Sequence, residues 1–238
     1  MRLPILLLCA VLLVPAAACR QDTPPPEEEG GVTVVEIARQ APRHARVLLE
    51  NDYVLAAEFT VPPGEGIPSH YGRNRAVYAL GDYRLEFHRE DGRIVTESRA
   101  GDIDWHAAGL HSVRNVGGSE ARFLVVFRKL SRLFEYSFTD EAEDFTCLAG
   151  NRSEVLLENE FMRVARFTLA PGDELPAHRG LNRVMYPLAG FDLRYAANGT
   201  AETRSYGAGS ACYFVAETHA VANVGATEAR YLMFELRQ

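Results

Sequence analysis

Residues 62–80 read PPGEGIPSHYGRNRAVYAL, and residues 170–188 read APGDELPAHRGLNRVMYPL. Both keep a Pro-Gly, one histidine, an Asn-Arg pair and a Tyr-x-Leu at the same internal spacing. Working outward, VLLEN occurs at Val47–Asn51 and at Val155–Asn159, an offset of 155 − 47 = 108. The same offset links Gly64 to Gly172, His70 to His178, Arg75 to Arg183, Gly101 to Gly209, His111 to His219 and Asn115 to Asn223. A register held without insertion from residue 47 to about residue 237 means that one supersecondary unit is written twice.

Short segments rich in Val, Phe, Tyr and Leu, often alternating with polar residues, predict β-strands at Val54–Val61, Arg84–Arg89 and Phe123–Arg128. Their counterparts are Met162–Leu169, Phe191–Tyr195 and Tyr231–Leu236. Turn signals such as Pro63-Gly64, Asp91-Gly92, Pro171-Gly172 and Asn198-Gly199 separate them. Many short strands with such punctuation imply a sandwich or small barrel. Residues 130–153 match nothing inside the first unit and carry the acidic run 140–144, so they connect the two, with room for one short helix.

At this point the residues resemble a bicupin, with two cupin-type double-stranded β-helices in one chain. The second cupin motif is well kept as Gly101, Gly109, His111 and Asn115, and more loosely as Gly209, His219 and Asn223. The first motif, which in the family supplies two histidines and a glutamate to a metal, is altered alike in both copies. Counting forward from Gly64 puts Gly72 at the second histidine; counting back from Tyr78 puts Pro68 at the first and Arg75 at the glutamate. Either count leaves one imidazole. The resemblance implies an all-β fold of two tandem cupin jelly-roll barrels produced by internal duplication.

A guanidinium has no lone pair to donate and stays charged. A dication about 5 Å from it, at an effective dielectric of ~20, is disfavoured by roughly 6–7 kcal/mol. The expectation is therefore a pocket without a metal, in which His70, Arg75 and His111, and likewise His178, Arg183 and His219, bind a small anion such as a carboxylate. The alternative is a metal-dependent enzyme of the dioxygenase or isomerase type, holding iron, manganese, nickel or zinc on His70, His106 and His111. A third reading is a purely structural scaffold. The structural reading of the arginines is an ion pair at the barrel edge with Glu58 or Asp173; that of the histidines is a remnant satisfied by packing. Asn115 and Asn223 read as turn formers, Tyr78, Trp105, Tyr186 and Tyr213 as core, and His44 and His88 as surface residues.

The remaining features concern location and partners. Residues 1–18, with one Arg, an apolar run and small residues before Cys19, read as an export signal. Ala16-Ala17-Ala18-Cys19 resembles the lipobox of bacterial lipoproteins with Ala in place of the usual Leu, which implies acylation of Cys19; cleavage at an A-x-A site is the competing reading. Residues 19–31 are Pro- and Glu-rich and read as a disordered tether. The first cupin domain is then expected over residues 32–130, a linker over 131–149 and the second domain over 150–238, in a lipid-anchored protein of the bacterial envelope facing the periplasm. A net charge of −7 with no basic stripe excludes nucleic acid. Cys147 and Cys212 either pair in that compartment or remain as a linker thiol and a buried strand thiol.

Overall fold

The computed structural model describes residue 39 and residues 41–129 and 144–237. The expected signal, Cys19, the tether and most of the connection lie outside them. The first unit contains β1 (Ala45–Glu50), β2 (Val54–Val61), β3 (Gly66–Gly72), β4 (Arg75–Ala79), β5 (Tyr83–Arg89), β6 (Gly92–Ser98), β7 (Ile103–His106), β8 (Gly109–Asn115) and β9 (Ala121–Arg128). A one-turn helix, α1 (Phe145–Leu148), precedes the second unit. That unit contains β10 (Ser153–Glu158), β11 (Met162–Leu169), β12 (Glu174–Gly180), β13 (Arg183–Pro187), β14 (Phe191–Ala197), β15 (Thr200–Tyr206), β16 (Cys212–Phe214), β17 (Glu217–Asn223) and β18 (Ala229–Leu236). The expected strands over 54–61 and 162–169 match β2 and β11, and the others extend by one or two residues.

Each unit is a barrel of two antiparallel sheets. The first has a five-stranded sheet in the order β1-β2-β9-β4-β7 and a four-stranded sheet in the order β3-β8-β5-β6; the second repeats both as β10-β11-β18-β13-β16 and β12-β17-β14-β15. Alternation along β2 decides what each face meets. Leu55, Ala57, Phe59 and Val61 enter the first barrel's core, whereas Val54 and Ala56 belong to a cluster shared with the second unit. In the second unit Ala165, Phe167 and Leu169 fill the barrel, while Met162 and Val164 join the shared cluster.

The two five-stranded sheets therefore pack outer face against outer face. The contacts are reciprocal: Tyr53 stacks on Tyr213 at 6.0 Å and Trp105 on Phe161 at 5.6 Å between ring centroids. Since 161 − 53 and 213 − 105 both equal 108, the halves meet about a pseudo-two-fold axis, as two subunits of a symmetric dimer would. Tyr78 and Tyr186 are buried in this interface, which is why the Tyr-x-Leu recurs.

The repeated turns are also fold-specifying. Gly64 and Gly172 follow their prolines with φ of 80° and 85°, a region open to glycine. Asn115 donates from Nδ2 to the carbonyls of Val61 and Ser119, both at 2.8 Å, and accepts from the Gly117 amide; Asn223 does the same with Leu169, Thr227 and Gly225. Asn74 and Asn182 accept from the Ala108 and Ala216 amides, holding the connection between β7 and β8 and its counterpart. In the Asn-Arg pair, then, the asparagine is structural.

Candidate ligand pocket of the first barrel

A bulge between Ile67 and His70 sets His70 directly across from His111 on β8. Both side chains are buried, with ring centroids 4.3 Å apart. His70 Nδ1 lies 2.7 Å from the Pro68 carbonyl, which makes Nδ1 the protonated nitrogen; Nε2 is then a buried acceptor without a partner among the described residues. His111 donates from Nδ1 to the Gly109 carbonyl at 3.1 Å, and its Nε2 accepts from Arg75 Nη2 at 2.8 Å. Arg75 also donates from Nη1 to the Arg73 carbonyl at 2.9 Å.

The guanidinium fits beside His111 because residue 72 is glycine: a Cβ there would lie 2.4 Å from Arg75 Nη1 and 2.6 Å from His111 Cε1. On β3, Pro68 is exposed whereas Gly72 is buried and faces inward. Gly180, Arg183 and His219 repeat the arrangement.

These groups sit in a low-dielectric interior. Burial, reinforced by Arg75, lowers the His111 pKa to about 4. Burial together with Arg75 and Arg89 lowers that of His106 to about 3. Burial likewise lowers His70. Arg75 falls to about 10, through burial and then repulsion by Arg89, and remains a cation at neutral pH. Only 5% exposed, it has no carboxylate within ion-pair distance among the described residues.

The second barrel meets the same charge differently. Arg183 donates to the carbonyls of Leu181 (3.0 Å) and Val215 (2.9 Å) and to the Tyr195 hydroxyl (2.8 Å). Tyr195, whose pKa is raised by burial, donates a hydrogen bond from its hydroxyl to Glu217 at 2.5 Å, and Glu217 itself approaches Arg183 to 3.8 Å. His178 and His219 remain paired at 4.2 Å, with Arg183 Nη2 3.2 Å from His219 Nε2.

The interiors also differ in room. The first barrel holds a cavity of about 410 Å³, walled by aromatic and aliphatic residues such as Phe87, Phe123 and Val125, with Arg75, His106 and His111 among its polar groups. The second keeps about 20 Å³. Three substitutions at the 108-residue offset account for much of the filling: Ser98 becomes Tyr206, Val77 becomes Met185 and Val125 becomes Met233. Phe145 of α1 adds a ring against Phe167, beneath the network in which Arg163 meets Asp144 at 2.8 Å and Glu235 at 2.6 Å.

The structure thus brings together all six residues singled out from the sequence, as two sets of three. His106 lines the cavity of the first barrel, and its Nδ1 has no hydrogen-bond partner among the described residues. The expected edge ion pairs of the arginines do not form: Glu58 is taken by Arg46 at 2.9 Å, and Asp173 by Arg152 at 3.5 Å. His44 is more covered than a surface residue, lying 3.2 Å from the Thr60 carbonyl, whereas His88 is half-exposed beside Glu86. The side chain of Cys147 lies outside the described residues.

Sequence reasoning missed Tyr195 and Glu217, whose counterparts are Phe87 and Gly109. The signal lay in positions where the repeats differ, not in those where they agree. As for a metal, the donors present do not fit a resident cation, because the His111 Nε2 lone pair is engaged by a guanidinium. Among the described residues no three His, Cys, Asp or Glu side chains converge.

No family model and no curated protein matches the chain. Solved structures do. AerE from Microcystis aeruginosa shares 16% identity over 82% of this chain and 93% of its own, with a TM-score of 0.59. A variant of oxalate decarboxylase from Bacillus subtilis shares 17% over 81% of this chain and 75% of its own, with a TM-score of 0.57. Oxalate decarboxylase has Mn(II) centres. At these identities the likeness is one of fold, and with the repeat and the two sheet pairs it is decisive: the chain is a bicupin in fold, two cupin barrels in one polypeptide.

Proposed function

We propose that this protein is a lipid-anchored, periplasm-facing bicupin of the bacterial envelope whose first barrel binds a small carboxylate without a metal, while the second is structural. One observation carries the proposal: two copies of the same buried arginine differ in whether the chain supplies a counter-charge. Arg183 has Glu217 and Tyr195; Arg75 has Gly109 and Phe87 in their places, beside a cavity of about 410 Å³. A ligand carboxylate takes the role of Glu217, accepting from Arg75, while His106, which lines the same cavity, offers a further polar contact and the apolar wall takes its body.

Thermal-shift titrations with benzoate, hexanoate and succinate test the proposal. At least one acid raises the melting temperature of the wild type, as selective binding to the folded state requires, and Arg75→Met abolishes the rise. An equal rise in Arg75→Met, or none in the wild type, overturns it and leaves the scaffold reading. A metal-dependent enzyme on His70, His106 and His111 is the second reading: His70 Nε2 and His106 Nδ1 have no hydrogen-bond partner among the described residues, although Arg75 engages His111 Nε2. Stoichiometric iron, manganese, nickel or zinc in protein purified without chelator, lost on His111→Ala, would establish it instead. Retention in the membrane fraction, abolished by Cys19→Ser, tests the anchor.

A further inference from the structure

The pseudo-two-fold axis creates two equivalent edges between the barrels, and they are not alike. At one edge Glu58 reaches across the junction: its Oε1 accepts from the Tyr186 hydroxyl at 2.6 Å, and its Oε2 pairs with Arg46 at 2.9 Å. Arg46 donates onward to the Gly209 carbonyl at 3.2 Å, and Arg122 adds positive potential at Tyr186. That edge is a carboxylate held by a tyrosine hydroxyl and arginines.

At the other edge the same positions hold Tyr78, Gly101 and Arg230, but the place of Glu58 is taken by Arg166 and that of Arg46 by Glu154. The ion pair between β10 and β11 survives with its signs exchanged. Tyr78, Gly101, Arg166 and Arg230 line an open groove of about 590 Å³. The Tyr78 hydroxyl, in a residue only 5% exposed, has no hydrogen-bond partner among the described residues. Glu154 pairs with Arg166, and Glu228, which also lines the groove, pairs with Arg230; the two carboxylate side chains are 61% and 50% exposed, so these pairs hold little energy.

We infer that this groove is a second anion site, taking a small carboxylate between the Tyr78 hydroxyl and the guanidinium groups of Arg166 and Arg230. The ligand occupies the place that Glu58 occupies at the opposite edge. The site is independent of the barrel pocket, because none of its residues lines that cavity.

The test uses the Arg75→Met protein, so that the barrel pocket does not contribute, and acetate and succinate as probes, followed by amide NMR. The Gly101 amide moves saturably while the Gly209 amide, its equivalent at the closed edge, stays still. Glu154→Arg combined with Arg166→Glu rebuilds the closed arrangement with the ion pair intact, and the Gly101 response disappears. Tyr78→Phe, which alters one oxygen, weakens binding roughly tenfold. A silent Gly101, equal movement of Gly101 and Gly209, or a response that survives the double exchange overturns the inference. Stronger movement with inorganic phosphate than with either acid overturns the assignment to carboxylates.

Discussion

Arg183 and Glu217 approach to 3.8 Å inside the second barrel, and the residues 108 positions earlier are Arg75 and Gly109. Duplication thus preserved the cation twice and its counter-charge once. Gly109→Glu with Phe87→Tyr transfers the missing pair. Stability should change by no more than ~2 kcal/mol, because desolvation of the carboxylate offsets its attraction to the arginine. The thermal shift with organic acids should vanish, since an internal carboxylate then competes for Arg75. Persistence of that shift would show that the acids bind elsewhere.

Room in the first barrel should be removable by copying the second. Ser98→Tyr with Val77→Met places the bulk of Tyr206 and Met185 into the cavity of about 410 Å³. Filling an existing void commonly stabilises by about 1–2 kcal/mol. Urea unfolding should show a higher midpoint with an unchanged slope, and titrated acids should no longer raise it further.

Gly72 should tolerate no side chain while Arg75 is present. Its Cβ would lie 2.4 Å from Arg75 Nη1, so Gly72→Ala forces the guanidinium away from His111 at a cost of about 1–3 kcal/mol. In an Arg75→Met background one of the two obstacles is gone, the contact with His111 Cε1 at 2.6 Å remaining, and the same substitution should cost less. A double-mutant cycle reads this coupling directly; additive effects would refute the steric relationship.

Acid should weaken the first barrel through its histidines. His106 and His111 fall from 6.5 to about 3 and about 4 on folding, so below pH 6.5 the unfolded chain binds protons that the folded chain does not. Stability is complete above pH 6.5, declines as pH falls toward about 4, and loses the His106 contribution fully only below about 3. His106→Phe, the residue found as Phe214 in the second barrel, should flatten the melting-temperature profile between pH 6.5 and 4.5 relative to the wild type.

The fold was legible because the chain writes it twice. Strand alternation over Val54–Val61 and Met162–Leu169 places alternate residues in the barrel and in the junction, and the paired turns fix the strand ends. What stayed hidden depends on position in space. The bulge between Ile67 and His70 shifts strand parity without leaving a residue signature, so the two counts of the first motif could not be separated. Arg75 looked like an edge residue because nothing in its neighbourhood announces the space left by Gly72. The hollow of one barrel and the filling of the other reside in Ser98 against Tyr206 and Val77 against Met185, substitutions that a search for identity passes over.

The shared cluster between the barrels has a consequence for how the chain can be divided. A polypeptide ending after β9 would carry Val54, Ala56, Leu124 and Val126, each no more than 1% exposed in the whole protein, on an uncovered sheet face. Such a half should associate with itself or precipitate, whereas both halves synthesised together as separate chains should recombine into a one-to-one heterodimer. Covalent continuity would then be dispensable for assembly, and the partnership of unlike faces would not.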